Sequence, residues 1–257
     1  MIDLRHVSGL DIQLDTERLR LNFGRDVEHP EGEIRTLDSV RSMLADPDAQ
    51  GPAHLYTIYM DIYQVGDRVA LREQGLLYGS VIYNHGALGS ERLRSQGHVH
   101  AEKRGTGLRY SEVYEFWTGH GHVYLQKECG PVVTKAYLVS VGPGDKLVIP
   151  FGWVHLVVTE GDEVLSFGAW CARDTRFEYD CLQARGGPAH YFPLRGAPRI
   201  NPRYAQVAPL THATVRDFPT LGIPFDRSIY DSWRDDSSLY RFLACPEAVG
   251  DLWAGMQ

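Results

Sequence analysis

The sequence predicts an all-β protein, either a sandwich or a small barrel of about ten short strands. The first observation is a series of apolar, β-branched and aromatic runs, closely spaced and bounded by Gly, Pro, Asn or Asp. The second is size, because 257 residues with 43% hydrophobic and 23% charged side chains can bury one sizeable core. No internal repeat, low-complexity segment, P-loop or nucleophile elbow competes with this prediction.

The segments around this strand-rich centre have other patterns. Residues 1–35 are a polar lead-in, and residues 36–45 are typical of a short amphipathic helix. The strand-like runs then follow at 55–62, 69–72, 77–83, 92–101, 110–117, 122–127, 132–141, 146–151, 153–159 and 163–170. After them, Thr175 and Glu178 have the spacing of a capping box, which predicts a helix ending near Gly186.

The last part of the chain is rich in proline and aromatic residues. Prolines recur through 196–257, one of them after Phe218, and residues 238–253 predict one or two short helices around Pro246. The aromatic content is too high for a free linker, so we expect this segment to pack along the barrel or across a dimer interface. The predicted organisation has three parts: a lead-in packed on the barrel (1–50), a barrel with the metal site (51–190) and a C-terminal extension (191–257).

Charge, N-terminus and cysteines narrow the class of protein. A net charge of −7 without a basic stripe argues against a nucleic-acid partner. The N-terminus lacks the basic flank and apolar run of a signal peptide, and no stretch approaches the roughly 20 apolar residues of a membrane span. The irregular spacing of Cys129, Cys171, Cys181 and Cys245 predicts reduced thiols. We therefore expect a cytoplasmic protein without a membrane partner.

Two histidines separated by one residue indicate a metal site. Alternate side chains of a strand share a face, so His98 and His100 point the same way and could hold one ion between them. Glu112 and His155 are the candidates to complete a set of three imidazoles and one carboxylate. Such a set suits Mn, Fe, Ni or Zn and leaves coordination positions open for substrate oxygens, as in a catalytic site.

Two alternatives to this set have to be considered. Glu102 and Glu115 are rival carboxylates to Glu112. The 11 histidines also make a chance His-x-His pair common, and the chain contains a second pair, His120 and His122. Because His120 lies between two glycines, as in a hairpin turn, we expect this second pair to be solvated surface.

Two motifs around the candidate ligands resemble those of the cupin superfamily. From Gly144 the chain reads G-x5-P-x-G-x2-H-x3-T, which matches the second cupin motif except that Thr159 replaces the usual Asn. In the first motif eleven residues separate His100 from Glu112, where cupins have only a few. We interpret residues 102–109 as an insertion that lengthens a hairpin. The resemblance implies a cupin double-stranded β-helix, or jelly-roll barrel, with short helices and a C-terminal extension.

Within the cupins, the chain resembles the cupin-type glucose-6-phosphate isomerases over approximately residues 35–190. The matching positions are 79–81, 86, 89, 95–100, 111–114, 119–121, 124–126, 143–144 and 155. The resemblance implies a phosphorylated sugar as substrate, a homodimer, and interconversion of glucose 6-phosphate and fructose 6-phosphate through a metal-stabilised cis-enediol or enediolate. It implies one divalent ion per chain, Fe or Mn first with Ni or Zn as alternatives, on the following ligands: His98, His100, Glu112 and His155.

The same resemblance implies roles for individual residues. Glu112, beside the ion and the reacting carbons, is the candidate base, and Tyr114 shares its strand face and can donate or accept a hydrogen bond. A hydride shift guided by the metal stays open as the alternative path. The residues that the family pattern places around the substrate phosphate are Tyr56, Ser80, Ser95, Gly97 and Tyr179.

One departure from the family pattern leaves other functions open. Phe177 stands where these isomerases have a histidine, and His190 or His212 could replace it spatially. An isomerase or epimerase acting on another sugar or sugar-like metabolite is therefore one alternative. An iron(II)-dependent cupin dioxygenase would use a similar ligand set, and a non-catalytic sugar-binding cupin would keep the barrel while its ligands decayed.

Overall fold

Two facing β-sheets form the centre of the protein. The computed structural model describes residues 1–216 and 221–249. The strands in these residues are β1 Ile2–Asp3, β2 Ile12–Asp15, β3 Arg20–Phe23, β4 Val27–Glu28, β5 Glu33–Thr36, β6 His54–Met60, β7 Tyr63–Gln64, β8 Leu76–Tyr83, β9 Ala87–Leu88, β10 Glu91–Arg92, β11 Val99–His100, β12 Glu112–Thr118, β13 His120–Gln126, β14 Val132–Val133, β15 Ala136–Val141, β16 Lys146–Ile149, β17 Val154–Glu160, β18 Leu165–Ala172, β19 Phe177–Glu178, β20 His190–Tyr191, β21 Arg199–Ile200, β22 Gln206–Val207 and β23 Leu210–Thr214. The helices are α1 Arg5–Ser8, α2 Leu37–Val40, α3 Arg68–Glu73, α4 Asp180–Gln183, α5 Ile229–Asp235 and α6 Arg241–Ala244, with 3₁₀ turns at Arg41–Met43, Val65–Asp67, Ser237–Tyr240 and Pro246–Val249.

The order of the strands identifies the type of barrel. The larger sheet has six strands in the order β16-β12-β18-β8-β6-β5, and the smaller has four in the order β17-β13-β15-β23. Their pairings are antiparallel apart from β15 with β23. Spatial neighbours such as β12 and β18 are far apart in sequence, so the sheets are built by long crossovers, as in a jelly roll. The predicted fold class is therefore confirmed.

The inner faces of the two sheets enclose one hydrophobic core. Alternate residues of the larger sheet, including Tyr83 on β8 and Phe116 on β12, belong to the same buried cluster as Val123 and Val157 of the smaller sheet. Side chains of a strand alternate between its two faces, so the residues between these point away from the barrel. Each strand of the larger sheet thus has an inner and an outer set of side chains.

The outer face of the larger sheet is covered by both ends of the chain. All eight residues of β18 are buried, because this strand packs on both faces. Trp170 donates its indole N–H to the carbonyl of Ile229 at 3.0 Å, and its ring stacks on Tyr230. The terminal segments contribute the following residues to this outer core: Leu4, Leu10, Ile12, Leu14, Leu19, Leu21, Ile229, Tyr230, Trp233, Tyr240, Phe242 and Leu243.

Several predicted local elements are present, although their bounds differ. Residues 37–43 are helical, within the predicted 36–45, and residues 237–249 form short helical segments around Pro246. The rest of that predicted segment, 250–253, and Phe218 with the proline after it lie outside the described residues. Strands β5 and β23 lie outside the 51–190 segment and pair with the barrel sheets. Within the described part of the chain, no helix is long and apolar enough to cross a membrane.

Two local predictions are wrong. Residues 69–72 belong to helix α3 rather than to a strand, since Val69 is 66% exposed while Leu71 is buried. A strand would put both side chains on one face, whereas a helix separates them. The predicted capping-box helix is only α4, because Phe177 and Glu178 pair with β11 instead. Sheet pairing therefore outweighs the local capping preference.

The prediction of four reduced thiols is wrong for two of them. Cys129 and Cys181 are joined by a disulfide, with Cα atoms 5.7 Å apart, whereas Cys171 and Cys245 are free. The two partners are separated by 52 residues, and the fold places the loop after β13 against α4. Sequence spacing alone does not reveal such a long-range pair.

Trp233 provides a test of the outer core. Its ring is 3% exposed and its indole N–H donates to Gln74 Oε1 at 2.8 Å. Trp233→Ala is expected to lower the free energy of unfolding by about 3–5 kcal/mol, because it leaves a cavity and an unpaired amide. Urea denaturation measures this change. Arg234→Ala, the neighbouring surface residue, should change it by less than about 1 kcal/mol, and equal effects would contradict the assignment.

Candidate metal centre

A backbone bridge between two distant segments positions the first pair of candidate ligands. The N–H of His98 donates to the carbonyl of His155 at 3.1 Å, and the N–H of His155 donates to the carbonyl of His98 at 2.9 Å. Their ring centroids are 4.2 Å apart. His100 lies two residues on, with its ring stacked beside that of His98 at 5.2 Å, as strand alternation predicts. Glu112, the first residue of β12, completes the group.

The four side chains form one compact cluster. Each of His98, His100, Glu112 and His155 offers one ligand atom, and these atoms all lie within 4.8 Å of one another. Glu112 Oε2 is 3.3 Å from His100 Nε2 and 3.4 Å from His155 Nε2. All but His98 are buried. The structure thus brings together all four residues that the sequence singles out as metal ligands.

The unpaired nitrogens of this cluster fit a bound cation. Buried polar atoms normally have hydrogen-bond partners, but His98 Nε2, His155 Nε2 and both ring nitrogens of His100 have none within the described residues. His155 Nδ1 lies 3.1 Å from the carbonyl of Trp153, which can only accept, so Nδ1 carries the proton and Nε2 presents a lone pair. Three imidazoles and a carboxylate with such lone pairs suit a first-row divalent ion.

The protonation states of the cluster also favour a cation. Burial lowers the pKa of His98 well below its ordinary value, and the neighbouring His155 and His100 lower it further. Burial likewise lowers the pKa of His100, although Glu112 opposes this. Burial would raise the pKa of Glu112, but its interactions with His100 and His155 outweigh burial and hold the pKa below the ordinary value. Neutral imidazole and ionised carboxylate are the forms that bind metals.

Tyr114 touches the cluster from the same strand as Glu112. Its hydroxyl donates to Glu112 Oε2 at 3.0 Å. Burial raises the pKa of Tyr114 well above 10, and the negative charge of Glu112 raises it further. The phenol therefore stays protonated and acts as a hydrogen-bond donor at neutral pH.

A cavity of about 110 Å³ opens beside the cluster. Its lining includes three of the four candidate ligands, His98, Glu112 and His155, and also Tyr114. Four of the five predicted substrate residues also line it: Tyr56, Ser95, Gly97 and Tyr179. The metal cluster and most of the predicted binding residues therefore share one cavity.

The structure does not bring Ser80 to this cavity. The neighbouring residue Val81 lines the cavity instead. Because alternate residues of β8 share a face, the Ser80 hydroxyl lies on the other side of the sheet, where it is buried and has no hydrogen-bond partner within the described residues. The position that the family pattern gives, Ser80, therefore lies on the outer face of β8, away from the cavity.

Sequence reasoning missed other residues of the cavity wall. Glu33 and Arg35 on β5 and Gln96 contribute polar groups, and Met60 and Phe167 contribute apolar surface. Because alternate residues of a strand share a face, the sequence of the polar lead-in could have indicated that Glu33 and Arg35 lie on the same side. Nothing local indicates that this face joins the barrel, because β5 pairs with β6 across a long connection.

Phe177 lies against the metal cluster rather than away from it. Its ring centroid is 4.6 Å from that of His98 and 5.3 Å from that of His100. Neither His190 nor His212 lines the cavity. His190 instead faces the hydroxyl of Tyr124 at 3.0 Å, so neither histidine replaces the one that the family pattern expects.

The rival residues lie elsewhere. Glu102 is exposed, and Glu115 is paired with Lys146 at 3.3 Å on the outer face of the sheet. The second histidine pair is separate from the cluster. Its His120 side chain is 66% exposed, as expected, whereas His122 is only 18% exposed and its Nε2 lies 3.1 Å from Glu160 Oε2, so the expectation of a solvated pair is wrong for His122. Of the three candidate carboxylates, only Glu112 joins the cluster.

Comparison with known proteins assigns the chain to a family. A sequence model described as glucose-6-phosphate isomerase (GPI) matches residues 42–207, more than half of the chain. The chain belongs to the cupin-type glucose-6-phosphate isomerase family. Relatives named glucose-6-phosphate isomerase include one from Pyrococcus furiosus, 28% identical over 135 residues that make up 52% of this chain and 67% of that protein. One from Thermococcus litoralis is 22% identical over 166 residues, 62% of this chain and 80% of that protein.

The glucose-6-phosphate isomerase match includes the whole metal cluster but not the whole cavity. Its range, 42–207, contains the four candidate ligands and Tyr114, whereas Glu33 and Arg35 precede it. Part of the cavity wall therefore comes from outside the family match.

Among solved structures, recombinant oxalate oxidase in complex with glycolate overlaps this fold with a TM-score of 0.38 and 15% identity, over 54% of this chain and 61% of that chain.

His155→Ala is expected to abolish stoichiometric metal binding while the barrel stays folded. Removing one of four ligands should weaken affinity by more than about 100-fold, since even partners of a ligand contribute 10–100-fold. Metal content per chain after gel filtration, with circular dichroism as the folding check, measures this. His122→Ala is the matched control and should keep its metal. One equivalent of metal retained by His155→Ala would remove His155 from the ligand set.

Proposed function

We propose that this protein is a metal-dependent aldose–ketose isomerase that interconverts glucose 6-phosphate and fructose 6-phosphate. The observation that supports it most is the buried cluster of His98, His100, Glu112 and His155, which opens onto a cavity in a chain of the glucose-6-phosphate isomerase family. These four residues would hold one divalent ion, Fe or Mn first and Ni or Zn as alternatives. When bound, the ion supplies Lewis-acid stabilisation of negative charge on two neighbouring substrate oxygens.

Glu112 is the proposed base. Converting the aldose to the ketose removes a proton from C2, returns one to C1 and moves a hydroxyl proton from O2 to O1. Within the described residues, the polar contacts of Glu112 all use Oε2, so Oε1 is available to take the carbon proton and return it.

Tyr114 is the proposed partner of that base. Its hydroxyl donates to Oε2 of Glu112 at 3.0 Å, which fixes the orientation of the carboxylate. Burial keeps the phenol protonated, so while its proton is donated to Glu112 the hydroxyl oxygen can accept a hydrogen bond from a substrate hydroxyl when the sugar is bound. Tyr114 therefore serves both to hold Glu112 and to accept a hydrogen bond from the sugar.

We assign substrate binding to the predicted residues that line the cavity. Tyr56, Ser95 and Tyr179 offer hydroxyls, and Gly97 offers a backbone N–H that makes no hydrogen bond within the described residues. Gly97 has φ +79°, and a Cβ there would lie 3.1 Å from Leu156 and from Leu182. A side chain at this position would therefore be strained and crowded, which supports a close approach of the ligand to the backbone.

A coupled assay tests the proposed reaction. Protein stripped with chelator should show no turnover, and reloading with Fe or Mn should restore conversion of fructose 6-phosphate to glucose 6-phosphate. Each of Fe, Mn, Ni and Zn is added separately, with bound metal measured in parallel. Stoichiometric metal without turnover would contradict the proposal. Other sugar phosphates would then be assayed as substrates, followed by a measurement of oxygen consumption.

The same reaction run in D2O distinguishes the two chemical paths. Proton transfer through Glu112 predicts deuterium in the product, since a proton held on a carboxylate exchanges with solvent. Complete absence of deuterium would favour the hydride shift. Nuclear magnetic resonance of the product at C1 and C2 gives the answer.

Tyr114→Phe tests the role of the phenol. The substitution should lower kcat by about 10- to 100-fold, because it removes a hydrogen bond to the base, while bound metal stays stoichiometric. Tyr124→Phe is the matched control, since Tyr124 is equally buried but its hydroxyl contacts Gln126 and His190 outside the cavity. Unchanged kcat in Tyr114→Phe would exclude a chemical role for its hydroxyl.

A second candidate is an isomerase or epimerase acting on another sugar. Phe177 supports it, because an apolar ring takes a position beside His98 where the family pattern has a group that can exchange protons. The homodimer that the resemblance implies and the cytoplasmic location expected from the sequence stay predictions. Sedimentation of the purified protein tests the first of them.

A further inference from the structure

We infer that Arg35, a residue outside the family match, binds the phosphate group of the substrate. This inference rests on the proposed function, because it assumes that the substrate is a phosphate ester. Arg35 lines the same cavity as the metal cluster and the predicted binding residues Tyr56 and Tyr179. Three properties support it: the placement of the side chain, the charge of the cavity, and the availability of the guanidinium.

Strand pairing places Arg35 beside a residue already assigned to the phosphate. β5 is the edge strand of the larger sheet, and Arg35 is the register partner of Tyr56 on β6. Directly opposed residues of neighbouring strands project to the same face, so both side chains reach the cavity. The register shifts between Arg35 and Thr36, and such irregularities often redirect side chains beside functional sites.

Besides the divalent ion proposed for the cluster, the cavity wall offers two carboxylates and one positively charged side chain among the described residues. Glu33 and Glu112 line it, and among the described lining residues Arg35 is the single lysine or arginine. A phosphate monoester carries close to two negative charges at neutral pH. Hydroxyls and a backbone N–H can hydrogen-bond its oxygens but cannot neutralise this charge. Arg35 is therefore the side chain of the cavity wall that can balance it.

The guanidinium of Arg35 is available for a ligand. Its Nη2 is 3.0 Å from Glu33 Oε1. The Glu33 side chain is 60% exposed, so water can solvate the Glu33 carboxylate when a ligand displaces it from Arg35. Apart from this ion pair, Arg35 donates no hydrogen bond within the described residues, so a phosphate that displaces Glu33 can be bound by two of its planar donors at once. The Arg35 charge also favours ionisation of the Tyr56 and Tyr179 hydroxyls, although burial dominates and raises both pKa values. This places the three groups within electrostatic range of one another.

Binding of a simple phosphate ester tests the inference without requiring turnover. Isothermal titration of the metal-loaded protein with glycerol 3-phosphate should show affinity lower by about 10- to 100-fold in Arg35→Met than in the unaltered protein. Arg5→Met is the matched control. It breaks a comparable ion pair, with Asp11, that does not line the cavity, so this variant should bind the ester as the unaltered protein does. Affinity within twofold of the unaltered protein in Arg35→Met would overturn the inference.

Two further variants separate charge from geometry and from folding defects. Arg35→Lys keeps the charge but loses the planar pair of donors, so its affinity should fall between those of Arg35→Met and the unaltered protein. Glu33→Gln removes the competing carboxylate and should bind the ester more tightly. Equal affinity in Glu33→Gln would overturn the competing role given to Glu33. An unchanged thermal transition in Arg35→Met, which carries its change on an edge strand, confirms that the protein is folded.

Kinetics then distinguish failure of this inference from failure of the proposed function. If the protein isomerises fructose 6-phosphate, Arg35→Met should raise KM by about 10-fold or more and change kcat far less, because Arg35 contacts the phosphate rather than the reacting carbons. If no sugar phosphate is turned over but the ester still binds through Arg35, the proposed isomerase activity is wrong, whereas the assignment of Arg35 to a phosphate site is supported. If turnover is present and Arg35→Met leaves KM unchanged, the isomerase stands and Arg35 is not a phosphate ligand.

Discussion

The six-stranded sheet must be buried on both faces, and much of the structure follows from this constraint. Its inner face closes the barrel and lines the cavity, whereas its outer face would leave Trp170 and Val113 in water if the chain ended at the barrel. The N-terminal strands and the C-terminal helices cover that outer face. A register slip of one residue would exchange the cavity side chains for those of the outer core, so the two cores together hold the site in place.

The candidate metal cluster depends on this rigidity. His98 and His155 are joined by two backbone hydrogen bonds, and Glu112 begins a strand paired on both sides, so backbone hydrogen bonds hold these three ligands in position. Burial keeps the imidazoles of His98 and His100 neutral, and the Nε2 atom of each has no hydrogen-bond partner within the described residues. A cation bound to these two atoms would satisfy both, which links metal binding to the stability of the fold.

The cavity is lined by strands that lie inside the segment matched by the family model and by one strand that lies outside it. The strands that carry the metal cluster lie inside the family match, whereas Arg35 comes from an edge strand outside it. An edge strand contacts one neighbour only, so its residues can change with little effect on the core. Phe177, in contrast, lies within the matched region and directly against His98. Arg35 thus lies on a strand of the barrel that carries none of the candidate metal ligands.

The fold class and the candidate ligands could be predicted from the sequence, because both depend on local patterns: strand alternation, the spacing of His98 and His100, and the motif that contains His155. Sequence patterns leave three carboxylates open for one ligand position, favour Ser80 where its neighbour Val81 faces inward, and do not indicate Arg35. These points required the folded protein. Each depends on which face of a strand meets which neighbour, and strand pairing is set by hydrogen bonds between residues far apart in the chain, which no local pattern encodes.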